Sequence, residues 1–228
     1  MTPAPRKVLL TGAGSGIGQE VTARLRDRGD ELWLVARSAE RATDLAEAFG
    51  SEVHVLVADL ADPASLTGVL GWPEELDALV HAAGAVELGP IAQLSADEWQ
   101  SQLTVNLVAP ALLTRVLLPA LRAARGTVVF VNSGAGLRAQ PDWAAYAASK
   151  HGLRALADSL RAEEGDLRVT SVFPGRTATP MQEKVHAQEG AEYDAERWIQ
   201  VGTVADVVLG VLDLPRDAEM PEVTLRPA

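Results

Sequence analysis

Two sets of residues in this chain have types and spacing that could do chemistry. The first is Tyr146-Ala-Ala-Ser-Lys150, which puts a phenol and an ammonium at i and i+4, on one face of a helix. Thirteen residues earlier Ser133 follows the run Val128–Asn132, at what would be the carboxyl edge of a sheet. That edge is where doubly wound folds bind ligands. A Y-x-x-x-K match is common by chance, so its weight comes from this placement. The second set is Thr11-Gly12-Ala13-Gly14-Ser15-Gly16-Ile17-Gly18, directly after the apolar run Val8–Leu10 and before a helical pattern. A glycine turn there lets backbone N–H groups at a helix N-terminus approach a pyrophosphate with no Cβ in the way. The strict G-x-G-x-x-G spacing fails, because its third glycine would fall on Ile17. The spacing present is T-G-x-x-x-G-x-G, on Thr11, Gly12, Gly16 and Gly18.

The elements that must position these residues are legible as alternating patterns. Short apolar runs at 8–10, 32–36, 53–58, 78–81, 127–131 and 169–173 read as buried strands, with a last short strand at 222–226. Helical patterns lie between them at 16–29, 39–49, 63–70, 96–124, 145–164 and 203–213. Gly29, Gly50, Gly126 and Gly165 sit where helices should stop. The alternation predicts an α/β chain with a parallel sheet covered on both faces. At 228 residues, without repeats or linkers, residues 1–228 read as a single domain. Leu103–Leu121 is apolar almost all round, which asks for a second partner beside the sheet. Leu153, Leu156 and Leu160 make a sheet-facing stripe, and Ala148, Gly152, Ala155 and Ser159 make a separate face of small residues.

Composition excludes several classes. A hydrophobic content of 47% argues against disorder, and a net charge of −11 opposes nucleic acid or anionic membrane as a partner. With no cysteine there is neither a disulfide nor a thiolate zinc site, and no metal is expected. No uncharged apolar run reaches about 18 residues, and Met1–Lys7 shows no signal-peptide core, so a cytoplasmic protein is expected. The preference for arginine over lysine suggests a GC-rich, bacterial genome.

Taken jointly, these motifs resemble the short-chain dehydrogenase/reductase family over essentially the whole chain. The matching residues are the glycine loop, Asp59-Leu60, Ala83-Gly84, Asn106, Ser133, Tyr146-x-x-x-Lys150, and Pro174-Gly175 with Thr179. One departure is His81-Ala82-Ala83-Gly84 where the family carries Asn-Asn-Ala-Gly. It bears on loop stability more than on catalysis, and His81 reads as structural. The resemblance implies a three-layer doubly wound Rossmann fold with a seven-stranded parallel sheet. It also implies hydride transfer between a nicotinamide cofactor and a carbonyl or secondary alcohol. Tyr146 would act as general acid/base, its pKa lowered by Lys150 and the oxidised nicotinamide. Ser133 would orient the substrate oxygen, and Lys150 would also hold the nicotinamide ribose. Asn106 would hold a water linking Lys150 to solvent, unless it is simply a polar residue that bends its helix.

The resemblance assigns cofactor contacts to Gly12, Ser15, Gly16, Ile17, Gly18, Asp59, Leu60, Ala83, Gly84, Tyr146, Lys150, Pro174, Gly175, Thr177 and Thr179. Asp59 would cap the adenine or merely start a helix. At the end of the second strand, Ala36 stands where an acidic residue usually holds a free ribose, with Arg37 next. An arginine there can pair with a 2′-phosphate or stack on adenine, so NADP(H) is preferred and NAD(H) remains possible. Ser15 counts against this, because many NADP-preferring relatives carry a basic residue there. Arg176 could face substrate or solvent. A substrate loop is expected at about 180–200, where Met181 and Trp198 could line the site or belong to the core. Substrate identity is not legible. The family also implies a homodimer or homotetramer, with the two long helices meeting their copies. A nucleotide-binding sensor or scaffold is the alternative; a sugar-nucleotide epimerase fits poorly, because the chain ends soon after its last strand.

Overall fold

Seven apolar runs become seven strands, every neighbouring pair parallel, in the order β3-β2-β1-β4-β5-β6-β7. They are β1 (Lys7–Thr11), β2 (Glu31–Ala36), β3 (His54–Val57), β4 (Ala78–His81), β5 (Thr127–Val131), β6 (Arg168–Pro174) and β7 (Glu222–Leu225). The computed structural model describes residues 5–69 and 71–228. Met1–Ala4, on which the N-terminal reading partly rests, and Leu70, the end of the expected 63–70 helix, lie outside the described residues.

Strand periodicity decides which residues meet which layer. Val8 and Leu10 of β1, Leu32 and Leu34 of β2 and Val129 and Val131 of β5 point into one core. There they meet α1 (Gly16–Asp27), α2 (Ala39–Phe49) and α7 (Val201–Asp213) through Leu25, Phe49 and Val208. Leu9, Trp33, Val128 and Phe130 point the other way, against α4 (Ala109–Ala124) and α5 (Ala144–Glu163). Leu113, Leu117, Leu121, Leu153 and Leu160 fill that second core, and Leu156 packs partly buried beside it. This is the expected three-layer doubly wound sheet. Its order reverses between β1 and β4, so the carboxyl ends of those strands open the crevice.

The local differences from expectation have physical reasons. Residues 63–68 form a 3-10 turn capped by Asp62, with Leu66 as its one buried residue, so no apolar stripe supports an α-helix. The 96–124 segment is α3 (Ala96–Leu103), a π-helical turn Thr104–Val108, and α4. By length and composition Ala96–Ala124 could cross a membrane, but Leu113, Leu117 and Leu121 are committed to the core under the sheet. Gly29 and Gly50 take the positive φ that favours glycine after a helix (86° and 95°). At the end of α4, Arg125 does so instead (φ 51°), and Gly126 is required for space, since a Cβ would stand 2.5 Å from the Leu76 carbonyl oxygen. Gly165 has neither role: its φ is not positive and its Cβ position is open. The small-residue face of α5 is divided: Ala148, Ala155 and Ser159 are exposed, whereas a Cβ on Gly152 would come within 2.7 Å of Leu107.

Candidate functional site

One cavity of 660 Å³ runs along the carboxyl ends of the strands, lined by the glycine loop at one side and by Ser133, Tyr146 and Lys150 at the other. Its volume is in the range of small-molecule sites. The glycine-loop wall is backbone. A Cβ on Gly12 would lie 2.6 Å from the Ala83 nitrogen, and one on Gly18 would lie 2.2 Å from the Gly12 oxygen. Gly18 does not line the cavity; it lets α1 close onto the turn. Gly16 has a positive φ of 54° and lies under Thr179, whose methyl would be 3.1 Å from a Cβ there. Ser15 is the N-cap of α1 yet makes no side-chain cap hydrogen bond, whereas α2, α3 and α6 (Pro180–Glu189) are capped by Ser38, Ser95 and Thr179. The first N–H groups of α1 are thus left for a bound anion. The Thr11 hydroxyl accepts from the nitrogens of Ala82 and Ala83, both at 3.2 Å, and so braces the loop that lacks the family's asparagines.

At the far end of this wall Arg37 is exposed on the cavity, and Asp59, Leu60, Ala83, Gly84, Ile17 and Ser15 line it too. The Asp59 carboxylate accepts from the Ala61 nitrogen at 2.9 Å, so it starts a turn and lines the cavity at once. A residue the sequence reading missed is Arg41. Its guanidinium lies 2.7 Å from where a Cβ of Gly14 would stand, and it pairs with Asp44 at 2.6 Å. The signal was available, because Arg37 and Arg41 are four apart at the entry to α2. Pro174, Gly175, Thr177 and Thr179 all line the cavity. The missing Cβ of Gly175 serves packing, as it would sit 3.0 Å from Pro227. Thr177 and Thr179 use their hydroxyls on Gly175 and Thr177 carbonyls.

The catalytic candidates converge. Tyr146 is buried, and burial raises its pKa, partly offset by a hydrogen bond with Ser133. The expected lowering by Lys150 is therefore absent from the protein alone. The Lys150 ammonium sits 5.8 Å from the Tyr146 ring centre and donates to the Val131 carbonyl at 3.2 Å. Burial lowers Lys150 to about 8. Of its three donors one is used, leaving two for the cavity. Ser133 is set by Asn132, whose side chain accepts from the Ser133 nitrogen at 2.8 Å and donates to the Lys150 carbonyl at 3.1 Å. Asn132 is a second positioning residue that the sequence reading passed over.

Asn106 does not line the cavity. Its side chain is consumed: it pairs with both the nitrogen and the carbonyl of Ala85 at 2.8 Å and donates to Ser149 at 2.9 Å. Ser149 in turn donates to the Tyr146 carbonyl at 2.7 Å. The side chain thus braces the loop after β4 and does not reach the cavity. An α-helical pairing of the Asn106 carbonyl with residue 110 is impossible, because Pro110 has no N–H, and the segment is π-helical there. The π turn Thr104–Val108 leads directly into α4, where Pro110 stands in the first turn and needs no N–H partner. His81 is structural, as expected: it is buried, stacked on Phe130 at 4.9 Å and hydrogen-bonded to Thr114 at 2.9 Å.

The expected substrate loop is half helix. Thr179 caps α6, Pro180 opens it and Gly190 closes it with φ 65°, all signals present in the sequence. Met181 and Val185 line the cavity and pack with Val86, Ala135 and Tyr146. Trp198 does not line it but packs at a tilt against His186, and Tyr193 meets the same ring edge-on. Lys184 ties α6 to the opposite wall through Glu87 and the Val86 carbonyl.

Comparison with known proteins agrees with this arrangement. The family model described as short chain dehydrogenase matches residues 6–190. A relative from Schizosaccharomyces pombe, described as an uncharacterized oxidoreductase, is 33% identical over 194 residues, 83% of this chain and 78% of its own. The crystal structure of levodione reductase superposes with a TM-score of 0.83 at 27% identity, covering 96% of this chain and 95% of that one. The closed form of serine dehydrogenase complexed with NADP+ shares the fold, with a TM-score of 0.85 at 23% identity over 97% and 94% of the two chains. The chain belongs to the short-chain dehydrogenase/reductase family and is an oxidoreductase of alcohol and carbonyl groups.

Proposed function

We propose that this enzyme moves a hydride between NADP(H) and a carbonyl or secondary alcohol, with Tyr146 as the proton donor and acceptor. The observation that carries this is that Tyr146, hydrogen-bonded to Ser133, shares one cavity with Lys150 and with an uncapped helix N-terminus. The residues fit a dinucleotide. Glycines leave a cradle that a Cβ would fill, the α1 N–H groups suit a pyrophosphate, and Arg37 with Arg41 suits a 2′-phosphate over a free ribose. When bound, the reduced nicotinamide supplies the hydride.

The protein's part is proton handling and orientation. Ser133 donates to the substrate oxygen and fixes it beside Tyr146. Burial keeps the phenol protonated, the state needed to donate. Lys150, at about 8, is mostly charged at neutral pH and holds the site polarised with its two free donors. A panel of ketones, aldehydes and alcohols assayed with NADPH and NADH tests the reading. Turnover is expected, faster with NADPH at low concentration. Cofactor binding without turnover on any of them would favour a nucleotide sensor instead.

We also propose a homodimer or homotetramer. The exposed Ala148, Ala155 and Ser159 on α5 and the 41% exposed Val108 beside it would meet a copy across a two-fold axis. Light scattering should give a multiple of the 24.1 kDa chain, and Ala155→Arg should reduce it; a monomeric native chain overturns this.

A further inference from the structure

Arg176, on the loop between β6 and α6, lines the cavity beside Val86, Trp143, Met181 and Val185. Trp143 joins it to the reacting end, its ring 5.7 Å from the Tyr146 ring and 5.8 Å from the guanidinium carbon. Trp198 covers the guanidinium at 5.5 Å. The two terminal nitrogens donate to the two carboxylate oxygens of Glu189 at 2.8 and 2.7 Å. A guanidinium has five N–H donors, so Nε and the outer N–H groups are not consumed. Arg176 and Trp143 line the cavity, whereas Glu189 and Trp198 do not. Glu189, which Trp143 also hydrogen-bonds, takes only the two terminal nitrogens from outside the cavity lining, so Nε–H and the two outer N–H groups of this cavity-lining arginine are unused.

We propose that Arg176 selects neutral substrates with a second oxygen acceptor, and that Glu189 excludes the corresponding carboxylates. The inference rests on the reductase reading for where the reacting carbonyl sits. Its physical basis is charge balance. Glu189 cancels the Arg176 charge, and the Arg176 hydrogen bonds, foremost, hold its carboxyl below the usual range, so it stays ionised. An ester, ketone or amide oxygen takes the free N–H edge without burying a net charge. A carboxylate would bring a second anion beside Glu189, in a pair whose side chains are only 29% and 25% exposed.

The test compares methyl acetoacetate and methyl levulinate with their free acids and with plain methyl ketones of matching length. The esters should show a KM about tenfold below both other classes, the size of one good hydrogen bond. Arg176→Met should erase the advantage of esters over plain ketones, raising KM for the esters about tenfold more than for the ketones. Glu189→Gln, which keeps a hydrogen-bonding partner for Arg176, should raise kcat/KM for the free acids about tenfold. Equal use of acids and esters by the native enzyme overturns the proposal. So does an equal loss on all substrates in Arg176→Met, which marks a purely structural clasp. If Arg176→Met does not fold, Glu189→Gln decides alone. Tryptophan fluorescence of the NADP+-loaded protein, titrated with methyl levulinate and with levulinate, reads the same preference without turnover. Binding preference without reduction of any ketone counts against the reductase reading alone, and no preference in binding counts against this one.

Discussion

The two ends of the cavity are built from different materials. At the glycine loop the wall is main chain: its shape depends on the absence of Cβ atoms at Gly12 and Gly18 and on the free N–H groups of α1. At the substrate end the wall is side chains, with Trp143 from the start of α5, Arg176 from the loop after β6, and Met181 and Val185 from α6. A surface of backbone has one shape for any sequence that can fold into it. A surface of side chains changes with every substitution. The first suits a ligand shared by a whole family, and the second suits a substrate particular to one member.

The largest effect should fall where the two ends meet. Tyr146→Phe keeps the ring in its pocket and removes the proton. Turnover on a validated ketone should drop about 10²–10⁴-fold, the usual worth of general acid catalysis, while the NADPH dissociation constant stays within a few-fold. Near-native activity would remove Tyr146 from the mechanism. Loss of cofactor binding would show that the hydroxyl, and not only the backbone, builds the cofactor end.

Gly18→Ala attacks the backbone end without touching ligand. The new methyl would meet the Gly12 oxygen at 2.2 Å, a main-chain atom that cannot rotate away. Strain of this kind costs about 1–3 kcal/mol, and it displaces the loop from the cradle. NADPH affinity measured by calorimetry should fall tenfold or more, with the chain still folded by circular dichroism. Unchanged affinity would mean that the α1 N-terminus does not hold the cofactor.

A smaller effect should sharpen the boundary, because side chains do enter the cofactor end at Arg37 and Arg41. Arg37→Ala should weaken NADPH about tenfold and leave NADH nearly unchanged, as loss of a charge-assisted hydrogen bond to phosphate would. Ala36→Asp should move preference toward NADH. Equal losses for both cofactors in Arg37→Ala would make it an adenine-stacking or loop-bracing residue. Arg41→Ala, measured the same way, shows whether Arg41 shares the phosphate or only shields Gly14.

This division also explains what could be read from the sequence. The seven strands, the helices α1, α2, α4, α5 and α7 and the glycine turn follow from apolar periodicity and from residues that act through local backbone, such as Gly12, Gly16 and Gly18. Tyr146 and Lys150 were legible because one helix carries both. Asn132 and Ser149 were not, since each matters through a partner distant in sequence: Asn132 bonds the Lys150 carbonyl, and Ser149 bonds Asn106. The side of the chain that Arg176 faces depends on Glu189, thirteen residues on and brought back by α6. That helix had its own signals in Thr179, Pro180 and Gly190, but only Gln182, Val185 and His186 on it are buried. It shows no apolar stripe to announce a helix.

The smallest effect at neutral pH should come from His81, a side chain with a structural task in the backbone-built half. Its ring is buried between Phe130 and Thr114 at the end of β4, just before the Ala82–Gly84 turn. Burial lowers its pKa from 6.5 to about 3. The native chain therefore keeps the ring neutral while the unfolded chain takes up a proton below about 6.5. This contribution to stability is fully present above that pH and is lost as pH falls toward about 3, at up to about 1.4 kcal/mol per pH unit. Urea unfolding at pH 7 and pH 5 should show the native protein losing about 2 kcal/mol more than His81→Asn over that interval. Carboxylates add their own pH dependence to both proteins, so the difference isolates the histidine. Equal losses would mean that the ring carries its proton in the folded chain. The turn that places Ala83 against Gly12 would then rest on a charged side chain, and the cofactor end would be less purely backbone than its glycines suggest.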